Sequence, residues 1–417
     1  MNPTLRHVIV GAGTAGIAAA EAIRKTPEAA SITLISAESD APYSPTVLPH
    51  LLAERISQRA VALRAAEFFD DIRCRLLLGR SVSALDADRR AVRLDDDSQI
   101  DFDRLLLAVG SEPLTPALDN PDGVRCLSFT RMTDLHDLRA RLAPGCRVAV
   151  LGAGLIGMEL AEALAGLGRG LQVLVVEQEQ QVLPRTFNQE IAGEVLALFR
   201  AHGVRFQLGL RAVALEKAGG AVTLTLSDQR SHVADLVIGC VGVKPRVSWL
   251  AGSGIALGRG IAVDARMATN VAGVYAAGDA AEGPAADGSA GLNPVLPTAA
   301  AQGRIAGANM AGRSVQHDGW VPANFFNFFG RVAVSVGDNS AGPARSTVDR
   351  KANGGRGQLF FEGERLVGAS FLGVPTDPGA LSLLIRRRTP VREYAELLAQ
   401  RPLEASRWLA ARLQRGN

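Results

Sequence analysis

The sequence predicts an α/β fold with two parallel-sheet units, followed by a smaller α+β domain. Three observations carry this. The turn Gly11-Ala12-Gly13-Thr14-Ala15-Gly16 leaves the apolar strand His7-Val8-Ile9-Val10 and opens an alanine-rich helix. Further along the chain the pattern returns, with Val148-Ala149-Val150-Leu151 running into Gly152-Ala153-Gly154-Leu155-Ile156-Gly157. Each unit then closes with an Asp, an apolar strand, a Gly and a Pro: Arg104 to Gly110 before Pro113, and Ala234 to Gly242 before Pro245. A strand, a glycine turn and a helix in that order form the Rossmann-like βαβ start, and two of them predict two dinucleotide-binding domains.

Glycine is needed three times in each turn. The first lets the chain reverse, the second lets backbone approach a pyrophosphate, and the third lets helix pack on strand. A pyrophosphate then sits at a helix N-terminus, where free N–H groups and the dipole favour an anion. Gly11, Gly13 and Gly16 are the candidates in the first unit, and Gly152, Gly154, Ile156 and Gly157 in the second. An acid after the next strand accepts from an adenosine ribose. In the first unit Glu38 follows the strand Ser31 to Ile35 and is that acid. In the second, Glu177 directly follows Leu171 to Val176. A carboxylate there repels a 2′-phosphate, so the second site is expected to prefer NADH to NADPH.

Beyond the first βαβ unit, Ala60 to Phe69 is expected to be helical, and Arg73 to Leu78 and Ala91 to Leu94 to be short strands. Arg104 to Gly110 reads as a buried parallel strand. Gly110 and Gly242 end the two closing strands and are candidate cofactor contacts. Pro113, Pro116 and Pro121 mark a linker. Gly283 to Pro297 reads as a loop. Phe325 to Phe329 and Gln358 to Phe361 are expected to be aromatic strands, with a helical tail beyond Val391.

Composition narrows the function classes. Of 417 residues, 47% are hydrophobic and 21% charged, the balance of a globular enzyme. The net charge of +3 comes from 45 basic and 42 acidic residues spread along the chain, with no basic tract interleaved with aromatics, so no nucleic-acid partner is expected. The first strand begins almost at once, leaving no room for a secretion signal, and apolar stretches such as Leu155 to Gly168 are broken by Glu159 and Glu162, so no membrane span and a cytoplasmic location are expected. Cys74, Cys126, Cys146 and Cys240 are dispersed without metal or redox spacing. The histidines form no HxH or HExxH cluster, so no metal site is expected.

At this point the chain resembles the FAD-dependent pyridine nucleotide-disulfide oxidoreductase superfamily, of glutathione-reductase-like fold. The pattern is most like NADH-dependent ferredoxin and rubredoxin reductases and the flavin portion of nitrite reductase. Beside the glycine turns and closing strands, Val274-Tyr275-Ala276-Ala277-Gly278-Asp279 is similar to the family's second flavin motif, and Pro297-Thr298-Ala299-Ala300-Ala301-Gln302-Gly303 to its helix start beneath the flavin. The resemblance implies FAD in the first unit, with Asp279 at the ribityl chain and Pro297 and Thr298 near the ring, and NADH in the second. It further implies an FAD domain over residues 1–112 and 244–313, an NADH domain over 113–243 and a C-terminal interface domain over 314–417. The interface domain often mediates dimerisation, so a homodimer is possible.

Disulfide-reductase relatives carry redox cysteine in the stretch that is Pro42 to His50 here, which has none. Ferredoxin-reductase relatives carry a Lys where this chain has His50, and a Glu where it has Glu159. The resemblance thus implies that His50 and Glu159 lie together near flavin N5, His50 exchanging a proton. Phe325 or Phe326 is expected to cover the opposite flavin face. Three functions stay open: an NADH-dependent reductase of a ferredoxin, rubredoxin or iron–sulfur subunit; an NADH oxidase or reductase acting on oxygen, a quinone or another small molecule; and a non-catalytic NADH-sensing flavoprotein.

Overall fold

Both glycine turns sit at the end of a strand in a fully parallel sheet. In the computed structural model, which describes residues 5–26, 30–340, 345–352 and 354–415, the first sheet runs in the order Val274–Ala276, Arg104–Leu107, Leu5–Val10, Ala30–Ile35, Cys74–Leu77. All four pairings are parallel. Parallel strands buried on both faces need continuous apolar runs, and Leu105, Leu106 and Leu107 have no exposure. The strand order reverses between Leu5–Val10 and Arg104–Leu107, which opens the crevice that the first glycine turn rims. Helices Thr14–Arg24 and Leu296–Met310 pack against each other and share one core with this sheet.

The second sheet has the order Arg205–Leu208, Gln172–Glu177, Arg147–Leu151, Leu236–Gly239, again parallel throughout. A third sheet, antiparallel, runs Ala323–Phe328, Arg331–Gly337, Arg365–Leu372, Gly355–Glu362, Arg345–Ala352. Helices Pro378–Arg386, Ala395–Gln400 and Pro402–Arg415 share its core. No helix among the described residues is long and apolar enough to cross a membrane.

Contacts group the chain into two units. One holds Met1–Val47, Ser57–Glu112 and Val243–Trp320, and the other holds Leu48–Ile56, Pro113–Gly242 and Val321–Asn417. The short stretch around His50, expected with the first sheet, is therefore grouped with the second. The antiparallel sheet also shares a unit with the second parallel sheet, and side-chain bonds explain why. Ser335 Oγ donates to the Thr186 carbonyl at 2.7 Å, and Asn188 Nδ2 donates to Gln358 Oε1 at 2.6 Å.

Two local expectations are corrected. Ala60 to Phe69 is not one helix: a short turn at Gln58–Ala60 and a helix at Glu67–Asp71 flank an extended stretch. The Leu63 N–H donates to the Pro42 carbonyl at 2.8 Å, and this bond to a distant residue of the same unit replaces a helical one. Gly283 to Pro297 is not all loop, since Ala281–Pro284 pairs antiparallel with Ala290–Gly291 and a helix starts at Leu296.

Candidate dinucleotide and proton-handling sites

In the first unit each glycine of the turn has a distinct steric reason. Gly11 has φ +110°, and a Cβ there would lie 2.0 Å from the Ala108 carbonyl oxygen. A Cβ on Gly16 would lie 2.0 Å from the Gly11 carbonyl oxygen. A Cβ on Gly13 would meet nothing within 4 Å, so this residue leaves an open face at the N-terminus of Thr14–Arg24. No side chain caps that helix start. The open cradle and the uncapped N–H groups fit a pyrophosphate.

The other first-unit candidates lie on neighbouring elements of the same unit. Asp279 is largely buried, which raises its pKa, and it accepts from Ser111 Oγ at 2.8 Å. Its neighbour Gly278 donates its N–H to Gln302 Oε1 at 2.9 Å. Gly110, at φ +67°, precedes Ser111 directly. Pro297 lies in the first turn of Leu296–Met310, and Thr298 is held by Asn293 Nδ2 at 2.8 Å. Gly303 and Gly307 dock this helix on the first, where a Cβ would lie 2.2 Å and 2.3 Å from the Ala15 and Ala19 carbonyl oxygens. Glu38 stands beyond the end of Ala30–Ile35 and accepts from the Tyr43 hydroxyl at 2.6 Å. Sequence reading missed the roles of Ser111, Gln302 and Tyr43; their only local signal is adjacency to residues already singled out.

The second turn repeats the geometry. Gly152 has φ +106°, with a Cβ site 2.4 Å from the Cys240 carbonyl oxygen; a Cβ on Gly157 would lie 2.0 Å from that of Gly152, and Gly154 faces open space. No side chain caps the Leu155–Gly166 helix, whose first turn carries Ile156. Glu177 ends its strand nearly buried and accepts from the Ala153 N–H at 2.6 Å and the Glu179 N–H at 3.0 Å. It therefore shapes the turn itself. Gly242, at φ +118°, ends the closing crossover.

The His50 helix, Leu48–Leu52, packs against Leu155–Gly166, which carries Glu159. The His50 side chain is exposed, and Glu159 is half-buried. Packing, rather than a direct hydrogen bond, relates the two. Burial first, and the nearby Glu162 carboxylate second, push Glu159 up to about 7. Arginines fasten the His50 segment. Arg139 donates to the Leu51 carbonyl, Arg169 pairs with Glu54 at 2.6 Å, and Arg55 forks onto Glu162 at 2.8 and 2.6 Å.

Of the two candidate phenylalanines, one of which was expected to cover the flavin, Phe326 is a core residue. It is buried, stacked on Phe328 at 5.2 Å and set edge-on to Phe187 at 6.3 Å. Phe325 alternates to the other side of the strand and is 58% exposed.

Fold and site together define a two-nucleotide α/β oxidoreductase, with one cradle in each unit. The pyridine nucleotide-disulphide oxidoreductase model matches residues 5–313, and the chain belongs to that family of FAD- and NAD(P)H-dependent enzymes. It is 33% identical to the NADH-dependent phenylglyoxylate dehydrogenase subunit epsilon of Aromatoleum evansii, over 96% of each chain. It is 28% identical to the ferredoxin reductase component of the chlorobenzene dioxygenase of Cupriavidus sp. (strain PS12), covering 92% of this chain and 93% of that one. One chain of a covalent putidaredoxin reductase–putidaredoxin complex shares the fold at 23% identity, with a TM-score of 0.86 over 98% of this chain and 100% of that one.

Proposed function

We propose that the protein takes electrons from NADH through FAD and passes them to a separate iron–sulfur carrier, either a ferredoxin, a rubredoxin or an iron–sulfur subunit. The observation that carries this reading is the state of the thiols. Burial pushes Cys74 and Cys126 up to about 11 and Cys240 up to about 12, and it raises Cys146 as well. All four are free thiols and none lies in the Pro42 to His50 stretch, which supports a route in which electrons leave the flavin without a protein disulfide. Both relatives described above are named as components of larger systems, which supports a protein acceptor.

Gly11, Gly13, Gly16, Glu38, Gly110, Asp279, Pro297 and Thr298 would hold FAD, whose isoalloxazine supplies the exchange between two-electron and one-electron transfer. Gly152, Gly154, Ile156, Gly157, Glu177 and Gly242 would hold NADH. Glu177 fixes the turn through two backbone N–H groups and repels a 2′-phosphate, which favours NADH over NADPH. Glu159, which burial and then Glu162 push up to about 7, would hold or release a proton at working pH, with His50 as its exposed neighbour. Phe325 is the remaining aromatic candidate for the cofactor environment. Domain limits at 1–112 with 244–313, 113–243 and 314–417, a cytoplasmic location and a homodimer complete the proposal.

The test is anaerobic reduction of the FAD-loaded protein with NADH, followed by mixing with ferredoxin, with rubredoxin or with aerated buffer. Rapid reoxidation by a carrier and slow reoxidation in air is the expected result. Rapid reoxidation in air with no response to either carrier would replace the proposal with an oxidase.

A further inference from the structure

Glu162 lies on the same helix as Glu159, one turn along, and its side chain is only 5% exposed. A carboxylate so placed needs its charge met. Arg55 meets it with both terminal nitrogens, at 2.8 Å and 2.6 Å, from a distant part of the sequence. The Phe329 N–H, from the turn after Ala323–Phe328, adds a bond to Glu162 Oε1 at 3.3 Å. One carboxylate thus ties together the His50 segment, the Glu159 helix and the antiparallel sheet.

Residues three apart on a helix stand about 5–6 Å apart at Cβ. The charge on Glu162 therefore bears directly on Glu159, for which it is the second cause of the raised pKa. Other charged groups on the elements packed against this helix have their own partners or lie at strand ends. Glu54 pairs with Arg169, Arg147 pairs with Asp235, and Glu177 is bound to backbone. Arg139, from helix Met132–Arg141, donates to the Leu51 carbonyl, and His50 is exposed. Arg55 is the cation that answers Glu162.

We infer that Arg55 is a positioning residue for the Glu159 site: it fastens the His50 segment to the Glu159 helix and neutralises the carboxylate one turn along from Glu159. This rests on the proton role proposed for Glu159. Without Arg55, Glu162 would act on Glu159 as an uncompensated like charge, and the proton on Glu159 would be held to higher pH. Without the charge on Glu162, the proton would leave at lower pH.

The test follows the Glu159 carboxyl by 13C NMR in protein labelled at glutamate, with and without FAD, using Glu159→Gln to assign the signal. Arg55→Gln should raise the midpoint by about one unit, and Glu162→Gln should lower it by a similar amount. Arg55→Lys should restore most of the wild-type value. Glu162→Gln keeps the side-chain shape and serves should Arg55→Gln fold poorly. An unchanged midpoint in Arg55→Gln, or in Glu162→Gln where the first variant does not fold, overturns the inference. Stopped-flow reduction by NADH across pH 5 to 9 reads the other half: its pH limb should move with the NMR midpoint. A limb that persists unchanged in Glu159→Gln, while the NMR midpoints still move, would overturn the proton role of Glu159 and leave the Arg55 coupling standing.

Discussion

Gly152 and Gly154 are near neighbours in one turn and answer to different demands. A Cβ on Gly152 would collide with backbone at 2.4 Å, in a conformation at φ +106° that L-residues rarely adopt, so Gly152→Ala should lower stability by about 1–3 kcal/mol. Gly154 faces open space, so Gly154→Ala should leave thermal unfolding within about 0.5 kcal/mol of wild type. NADH affinity, read by fluorescence titration, should nevertheless fall about tenfold or more, because the added methyl occupies the approach of the pyrophosphate. The sequence assigned the first glycine to the turn and the second to the approach of a pyrophosphate; the structure adds the backbone contact that bars a Cβ on Gly152 and the open space beside Gly154. His7 is a second residue whose state sequence reading missed. It is 1% exposed, its Nδ1 has no hydrogen-bond partner among the described residues, and burial and then Arg104 push it down from 6.5 to about 4. The folded protein therefore binds this proton less readily than the unfolded chain. The stability held above pH 6.5 should be lost as pH falls from 6.5 toward 4, by an amount on the order of 3 kcal/mol. In His7→Leu the fall in melting temperature between pH 7 and 5 should be smaller than in wild type.

At the scale of elements, the pairing of Thr14–Arg24 with Leu296–Met310 joins two segments from widely separated parts of the chain. Gly303 and Gly307 face the Ala15 and Ala19 backbone so closely that a methyl has no room. Gly303→Ala should cost about 1–3 kcal/mol and lower the flavin-to-protein absorbance ratio of the purified protein, because the shifted helix carries Pro297 and Thr298 with it. Strongly periodic or glycine-marked elements were legible in the sequence, as in both turns and the buried strands that follow them. The extended run after Ala60 was not, because its apolar residues fit a helical count while its Leu63 N–H is taken by Pro42. Strand alternation likewise put Phe325 and Phe326 on opposite faces without saying which face is core.

For the whole molecule, the free and largely buried state of the cysteines supports the proposed route of the electrons. Cys74, Cys126 and Cys240 should react with a disulfide reagent on the order of 100-fold more slowly than free cysteine in the native protein, Cys146 should also be slowed, and all four should react freely in denaturant. Reduction with NADH should expose no additional fast thiol, a result that mass-resolved alkylation would check. The sequence by itself determined the parallel-sheet architecture, the two dinucleotide cradles and the absence of cysteine between Pro42 and His50. Each of these depends on backbone conformation or residue spacing over a short stretch of chain. Only the tertiary structure decided that Arg55 meets Glu162, that burial and Glu162 push the Glu159 carboxyl up, that Phe326 is core, and that the His50 segment is grouped with the second sheet. Burial and charge pairing arise between residues far apart in the chain, and no local pattern records which of them the fold will bring together.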